Sequence, residues 1–346
     1  MLTKNKNLTI PKIIIKKNIG EIIMLKESSS NELNSVIITI LLVPNFSLIS
    51  LSSIIEPLRL ANRNLKKTIY SWKVITKSGL PEKSSSGVQI KAQGSIEDVP
   101  NPDNVIVLSG INANLYKDET IFNYLRCCSR KGSYIGSACT GSYILANAGL
   151  LDNYTCTLHW ENIDSFNEQF TNINTKPELF IFDRDRFSCA GGESPVDMIL
   201  EDVKLRFSEE TVTYIADQLI HNEVRKPTDN HRIPLQTRVK TRNKKIIRAI
   251  EIMEKNIEMP IPRNTIAKEI ELSPRQMERL FKKYLGISPA KYYLQVRLQY
   301  SNRLLQYTTL SITDISLATG FSSVSHFSKC YRDLFSHSPK QIQNIN

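Results

Sequence analysis

Two rhythms of apolar and polar positions run along this chain. Residues 36–43 are aliphatic apart from Thr39 and mostly β-branched, the signature of a strand buried on both faces of a parallel sheet. Pro44 and Asn45 end that run. Over residues 47–62 the period lengthens to a helical one, with Leu48, Leu51, Ile54, Ile55 and Leu58 on one face. The alternation then recurs. Strands are predicted over 72–76, 105–108 and 133–138, helices over 119–131 and 140–149, a strand pair over 179–182 and 187–189, and a long helical pattern over 194–221. Residues 35–222 therefore read as an α/β layered domain with a mostly parallel, flavodoxin-like sheet.

Residues 223–243 lose the period and contain two prolines and several Lys and Arg, so they read as an interdomain linker. From residue 244 onward the pattern is helical throughout. Ile246, Ile247, Ile250, Met253 and Ile257 share one face, and Pro260-Ile261-Pro262 stops that helix. A short helix over 263–270 follows, then a tight turn. Ser273 is an N-cap, Pro274 suits the first helical position, Gln276 completes a capping-box start and Gly286 ends the helix. Ser288-Pro289 opens the next helix, which runs to about residue 306. The scheme then repeats: a short helix over 312–319, a Gly320-Phe321 turn, Ser322 and Ser323 as cap, a helix to Phe335, and Ser338-Pro339.

Each half of this repeat is a helix-turn-helix pattern. The rod between the halves has about 18 residues and spans about 27 Å. Two units on such a rod reach successive major grooves, which recur every ~34 Å. Residues 244–346 thus form an all-α double helix-turn-helix domain.

Charge sharpens this division. The formal net charge is +11. Residues 240–346 carry 18 Lys and Arg against 8 Asp and Glu, whereas the preceding residues carry 27 against 26. A near-neutral body with a basic module points to a polyanion, with nucleic acid first.

None of the six cysteines forms a C-x-x-C pair and no zinc-finger spacing occurs, so neither a metal nor a cofactor is expected, and a reducing cytoplasm fits best. The longest apolar run is far short of the roughly 20 residues of a spanning helix, and no membrane partner is expected. Residues 1–34 alternate Lys and Asn with Ile near their start and lack a signal-peptide core. They read as a poorly ordered extension, with Met24 an alternative start.

The runs Ile287-Ser288-Pro289-Ala290-Lys291-Tyr292 and Gly320-Phe321-Ser322-Ser323-Val324-Ser325-His326-Phe327-Ser328-Lys329-Cys330-Tyr331-Arg332 resemble the AraC-family DNA-binding domain. The resemblance covers about the last hundred residues and implies two helix-turn-helix units on double-stranded promoter DNA. By matching positions it implies that Arg275, Gln276 and Arg279 read bases in one groove and Ser325, His326 and Lys329 in the next. Lys282, Lys283 and Arg332 would lie nearer phosphates. Ser316 departs from the family's usual Ala, and Ser336 from its usual Gly.

The front domain carries Gly136-Ser137-Ala138-Cys139-Thr140-Gly141-Ser142 between a strand and a helix. Glu56-Pro57-Leu58-Arg59 precedes it, and Thr157-Leu158-His159-Trp160, Cys189-Ala190-Gly191-Gly192 and Asp197 follow. Together these resemble the GlxA type of AraC regulator, whose sensor domain is similar to PfpI and class I glutamine amidotransferases. That resemblance implies a small-molecule effector among amino acids, amines and betaine- or carnitine-like compounds, a homodimer, and contact with RNA polymerase.

Cys139 at a strand-to-helix turn raises the question of catalysis, because helix-end N–H groups lower a thiol pKa. The PfpI-type hydrolases place a His directly after this Cys, and here the residue is Thr140. Related thiol enzymes bring a Glu from the end of the first strand, and residues 45–50 contain no carboxylate. The expectation is a sensing pocket without catalytic residues, lined by Glu56, Cys139, Thr140, His159 and Trp160. Trp160 would offer a cation–π face and Glu56 a countercharge to a quaternary amine. The alternatives are a thiol-dependent amidase or aldehyde-processing enzyme with a DNA-binding tail, and a redox sensor using Cys139 or the Cys127-Cys128 pair.

Overall fold

The computed structural model describes residues 25–28, 35–229 and 235–343. The chain divides into two compact units, residues 1–158 with 178–229, and residues 159–177 with 230–346.

Chain order through the first unit is β1 (Val36–Leu42), α1 (Leu48–Leu65), β2 (Tyr70–Ile75), β3 (Glu82–Lys83), β4 (Gln89–Ile90), β5 (Asn104–Leu108), α2 (Glu119–Arg130), β6 (Tyr134–Ala138), α3 (Ser142–Asn147) and β7 (Thr155–Cys156). The next two elements, α4 (Ile163–Gln169) and β8 (Asn174–Thr175), group with the second unit. The first unit resumes with β9 (Phe180–Asp183), β10 (Arg186–Cys189), α5 (Ser194–Arg206) and α6 (Glu209–Leu219).

The main sheet has the order β2-β1-β5-β6-β10-β9. All neighbours are parallel except the β10–β9 edge pair. Counting only the parallel strands gives the flavodoxin-like order, in which the chain reverses direction across β1. The apolar run noted above is β1, buried at every position but one. Ile38, Ile40 and Leu42 on one of its faces join Leu51, Ile54 and Leu58 of α1, Met198 and Val203 of α5, and Val212 and Ile215 of α6 in one core. Helices α2 and α3 pack on β5 and β6.

The helical pattern over 194–221 is two helices rather than one. Ser208 leaves the helix in an extended conformation, and its hydroxyl accepts from the Thr211 N–H as the N-cap of α6. Glu209 and Glu210 then favour the positive end of that helix. Apolar spacing continues across the break, which is why period alone does not reveal it.

Within the stretch read as an N-terminal extension, residues 25–28 are described and lie against the α/β core. Leu25 is buried. Its N–H donates to Asp202 (3.2 Å), while the Lys26 N–H and carbonyl pair with the Asn104 side chain at 2.7 and 2.8 Å. Asp202 also accepts from the Tyr70 hydroxyl and Arg206 Nε, both at 2.8 Å. Residues 1–24 and 29–34 lie outside the described residues.

The second unit continues with α7 (Leu235–Arg238), α8 (Lys244–Lys255), α9 (Arg263–Glu269), α10 (Pro274–Leu285), α11 (Pro289–Tyr307), α12 (Ile312–Ala318), α13 (Val324–Phe335) and α14 (Pro339–Gln343). Among its described residues lie two small cores. Ile250, Met253, Ile266, Met277 and Phe281 build the first, and Leu298, Leu304, Ile315, Phe327 and Tyr331 the second. The rod α11 serves both, giving Tyr293 to one and Leu298 to the other.

Candidate functional site

The two helix-turn-helix halves share one burial pattern. In α10 the buried residues are Met277 and Phe281, and fifty positions later in α13 they are Phe327 and Tyr331. Spacing of four puts each pair on one face, so the opposite face is free. On α10 that free face exposes Arg275, Gln276, Arg279, Lys282 and Lys283; on α13 it exposes Ser325, His326, Lys329 and Arg332. All nine residues expected from the sequence therefore lie on two equivalent exposed helix faces.

Three of these side chains also have local work. Gln276 Oε1 accepts from the Ser273 N–H at 2.8 Å and closes the capping box, which leaves its NH2 group as the donor for any base edge. His326 Nε2 lies 3.3 Å from Cys330 Sγ, one turn on. Lys282 is 3.7 Å from Glu278, in an exposed pair of small energetic weight.

What fixes the spacing of the halves is a contact that the sequence pattern did not reveal. Arg297, midway along α11, donates from Nε to the Thr319 carbonyl at 2.7 Å, and its guanidinium lies 4.1 Å from the centre of the Phe321 ring. Burial pulls its pKa down from the usual arginine range. The next residue, Gly320, sits at φ +71°, and a Cβ there would come within 2.6 Å of the Pro260 ring. The turn of the second half therefore rests on the loop that ends α8 of the first. The rod itself has 19 residues, about 28 Å.

The repeat also shows its departures. Ala267 and Ser316 occupy equivalent buried sites in α9 and α12, and among the described residues the Ser316 hydroxyl has no hydrogen-bond partner. Gly286 and Ser336 end α10 and α13 at φ +71° and +65°, so the second half puts a side chain in the left-handed region.

In the first unit, Cys139 follows β6 at φ +61°. Its N–H donates to the Cys189 carbonyl at 3.1 Å, and the Thr140 hydroxyl donates to the Gly110 carbonyl at 2.6 Å. The ends of β5, β6 and β10 thus meet at the elbow, at the carboxyl edge where open α/β sheets lodge ligands. Glu56 lies on α1 and is ion-paired to Arg59 at 2.6 Å, with both side chains nearly half exposed. Its carboxylate already has a countercharge. His159 and Trp160 fall in the segment that groups with the second unit. Their rings are 5.6 Å apart, and burial lowers the His159 pKa. Among the described residues no cluster of His, Cys, Asp and Glu suits a metal, and no helix is long and apolar enough to cross a membrane.

Comparison with known proteins adds to this geometry. Residues 38–204 match the DJ-1/PfpI family, and residues 266–345 match a helix-turn-helix domain family. The transcriptional regulator GbdR of Pseudomonas aeruginosa is 38% identical over 300 residues, which is 87% of this chain and 82% of that protein. The regulator CdhR of the same species is 35% identical over 88% of this chain and 90% of its own. The regulator GlxA of Rhizobium meliloti is 33% identical over 91% and 98%.

Proposed function

The chain belongs to the AraC-type transcriptional regulators of the GlxA kind, a DJ-1/PfpI unit joined to a helix-turn-helix domain, and from that premise we propose that a small metabolite bound by the α/β unit controls how α10 and α13 engage promoter DNA. The observation that carries this reading is the pair of equivalent exposed faces. Arg279 and Lys329 lie fifty residues apart at matching positions, each midway in sequence between the two members of its helix's buried pair and so about half a turn round from them. Arg and Lys bond guanine edges, Gln pairs with adenine, and Ser accepts either. Arg275, Gln276 and Arg279 then face one groove, and Ser325, His326 and Lys329 the next. Lys282, Lys283 and Arg332, further along the helices, neutralise phosphates.

In this reading the effector sits at the elbow, around Cys139, Thr140 and Gly110, in a site that performs no chemistry. Thr140 stands where the hydrolases carry His, and its hydroxyl is engaged by the Gly110 carbonyl. An amine or quaternary ammonium compound is the proposed ligand class. The protein acts in the cytoplasm as a homodimer, and contact with RNA polymerase completes the partner set.

Binding of the full chain to duplex DNA, followed by fluorescence anisotropy at rising salt, tests the DNA half. Affinity should fall steeply and log-linearly with salt, as counterion release requires. Salt-independent binding, or none, would contradict it. Thermal shift of the full chain against amines, quaternary ammonium compounds and amino acids tests the effector half.

A further inference from the structure

The segment that leaves the α/β unit is fastened by one buried carboxylate. Asp197, in the first turn of α5, is 1% exposed. Its Oδ1 accepts from His221 Nε2 and from the Arg225 backbone N–H, both at 2.9 Å. Its Oδ2 accepts from Arg225 Nε at 3.0 Å and Nη2 at 2.6 Å. Both oxygens are thus occupied by residues just past the end of α6. A buried carboxylate held in this way contributes little net stability over an apolar replacement, but breaking it on one side is costly. Its better-attested use is to select one conformation, and the residues around it carry that mark.

Ile220, directly before His221, is in the left-handed region at φ +54° and is 81% exposed. A β-branched residue there is strained, and an exposed Ile gains nothing from burial. Strain of this kind persists only where the surroundings over-determine the backbone. Here they are the helix-ending bond from the His221 N–H to the Ala216 carbonyl (2.9 Å) and the Asp197 contacts that follow. At the other end, α5 begins at Ser194, with only Glu193 between it and Gly192, and a Cβ on Gly191 would meet Cys139 at 2.7 Å. The helix that holds the exit segment therefore starts against the elbow.

We propose that Asp197 is a positioning residue, a latch that holds residues 220–225 in a strained exit path and couples the elbow to the chain leading to the DNA-binding unit. The proposal rests on the sensor reading of the α/β unit and adds its output. The two-state element is the exit segment: latched on Asp197 and strained at Ile220, or released and relaxed. An elbow occupant that shifts Gly191 shifts the start of α5 and so biases the latch.

Hydrogen exchange of the full chain reads the latch directly, because the Arg225 amide donates to Asp197. Asp197→Asn, which keeps the shape but removes the charge, should speed exchange over 221–225 by about tenfold or more, with β1 and β5 unchanged. Ile220→Gly relieves the strain of the latched state and should slow the same amides by about fivefold. Affinity for a fixed duplex should move in opposite directions in the two variants, a result that a merely structural role does not produce. The proposal is overturned if Asp197→Asn leaves Arg225 exchange unchanged, or if both variants shift it the same way. If Asp197→Asn does not fold, Ile220→Gly still decides: unchanged exchange at 221–225 contradicts the latch. DNA recognition can survive such a failure, so the two readings stand or fall separately.

Discussion

Gly191 lies against Cys139 so closely that a methyl group on it would sit 2.7 Å from both Cα and Cβ of the cysteine. Gly191 is also at φ +87°, where an L side chain is strained. Gly191→Ala should therefore cost the α/β unit about 2–4 kcal/mol. Gly149, also left-handed but with nothing within 4 Å of its would-be Cβ, is the control, and Gly149→Ala should cost only about 1 kcal/mol. Urea unfolding of the two variants checks the difference.

The helix-turn-helix repeat supplies its own references for stability. Ser316→Ala copies Ala267 and removes a buried hydroxyl without a partner among the described residues. Ser336→Gly copies Gly286 at a left-handed helix end. Each should stabilise the second unit by about 1 kcal/mol. Neither residue lies on the exposed recognition faces, so DNA affinity should stay within a factor of two or so of wild type. A thermal melt and an anisotropy titration of each variant suffice.

Base readers and phosphate contacts should separate under salt. Lys282→Ala or Lys283→Ala should weaken binding to all duplexes alike and reduce the slope of log affinity against log salt by ~0.9. Arg279→Ala and Lys329→Ala should instead relax sequence preference, each in one half of the site, at about 1–3 kcal/mol.

Burial pushes the Cys128 thiol up to about 11 and those of Cys156 and Cys189 to about 12. At pH 8 they should resist a thiol reagent, while the partly exposed Cys127 and Cys330 react first. Each buried thiol holds its proton more tightly in the folded state than in the unfolded one. This contribution to stability is therefore fully present below about pH 9, and is lost as pH rises from there toward 11–12. Mass-resolved labelling and an alkaline melt measure the two effects.

Much of this was legible in the residues. The run that became β1 announces a doubly buried strand, and the capped repeat around Ser273 and Ser323 announces two recognition helices, because both signals are local and periodic. The latch was not legible. Asp197 meets His221 and Arg225 only because α6 turns back, 24 and 28 residues later. Arg297 was missed because its partners, Thr319 and Phe321, come from the next helix-turn-helix unit, and nothing in its own spacing marks it. Glu56 shows the reverse: a carboxylate expected to await a cation is already paired to Arg59 on its own helix. Long-range pairing and side-chain competition are what a single sequence does not display.

If α10 and α13 read two stretches of DNA from the ends of one rod, duplexes selected from a random-sequence pool by the full chain should share a bipartite motif. Its two blocks should be centred about one helical turn, ~10 base pairs, apart, with one block weakened in Arg279→Ala and the other in Lys329→Ala. Recovery of duplexes with no sequence enriched over the input pool would rule out this mode of recognition.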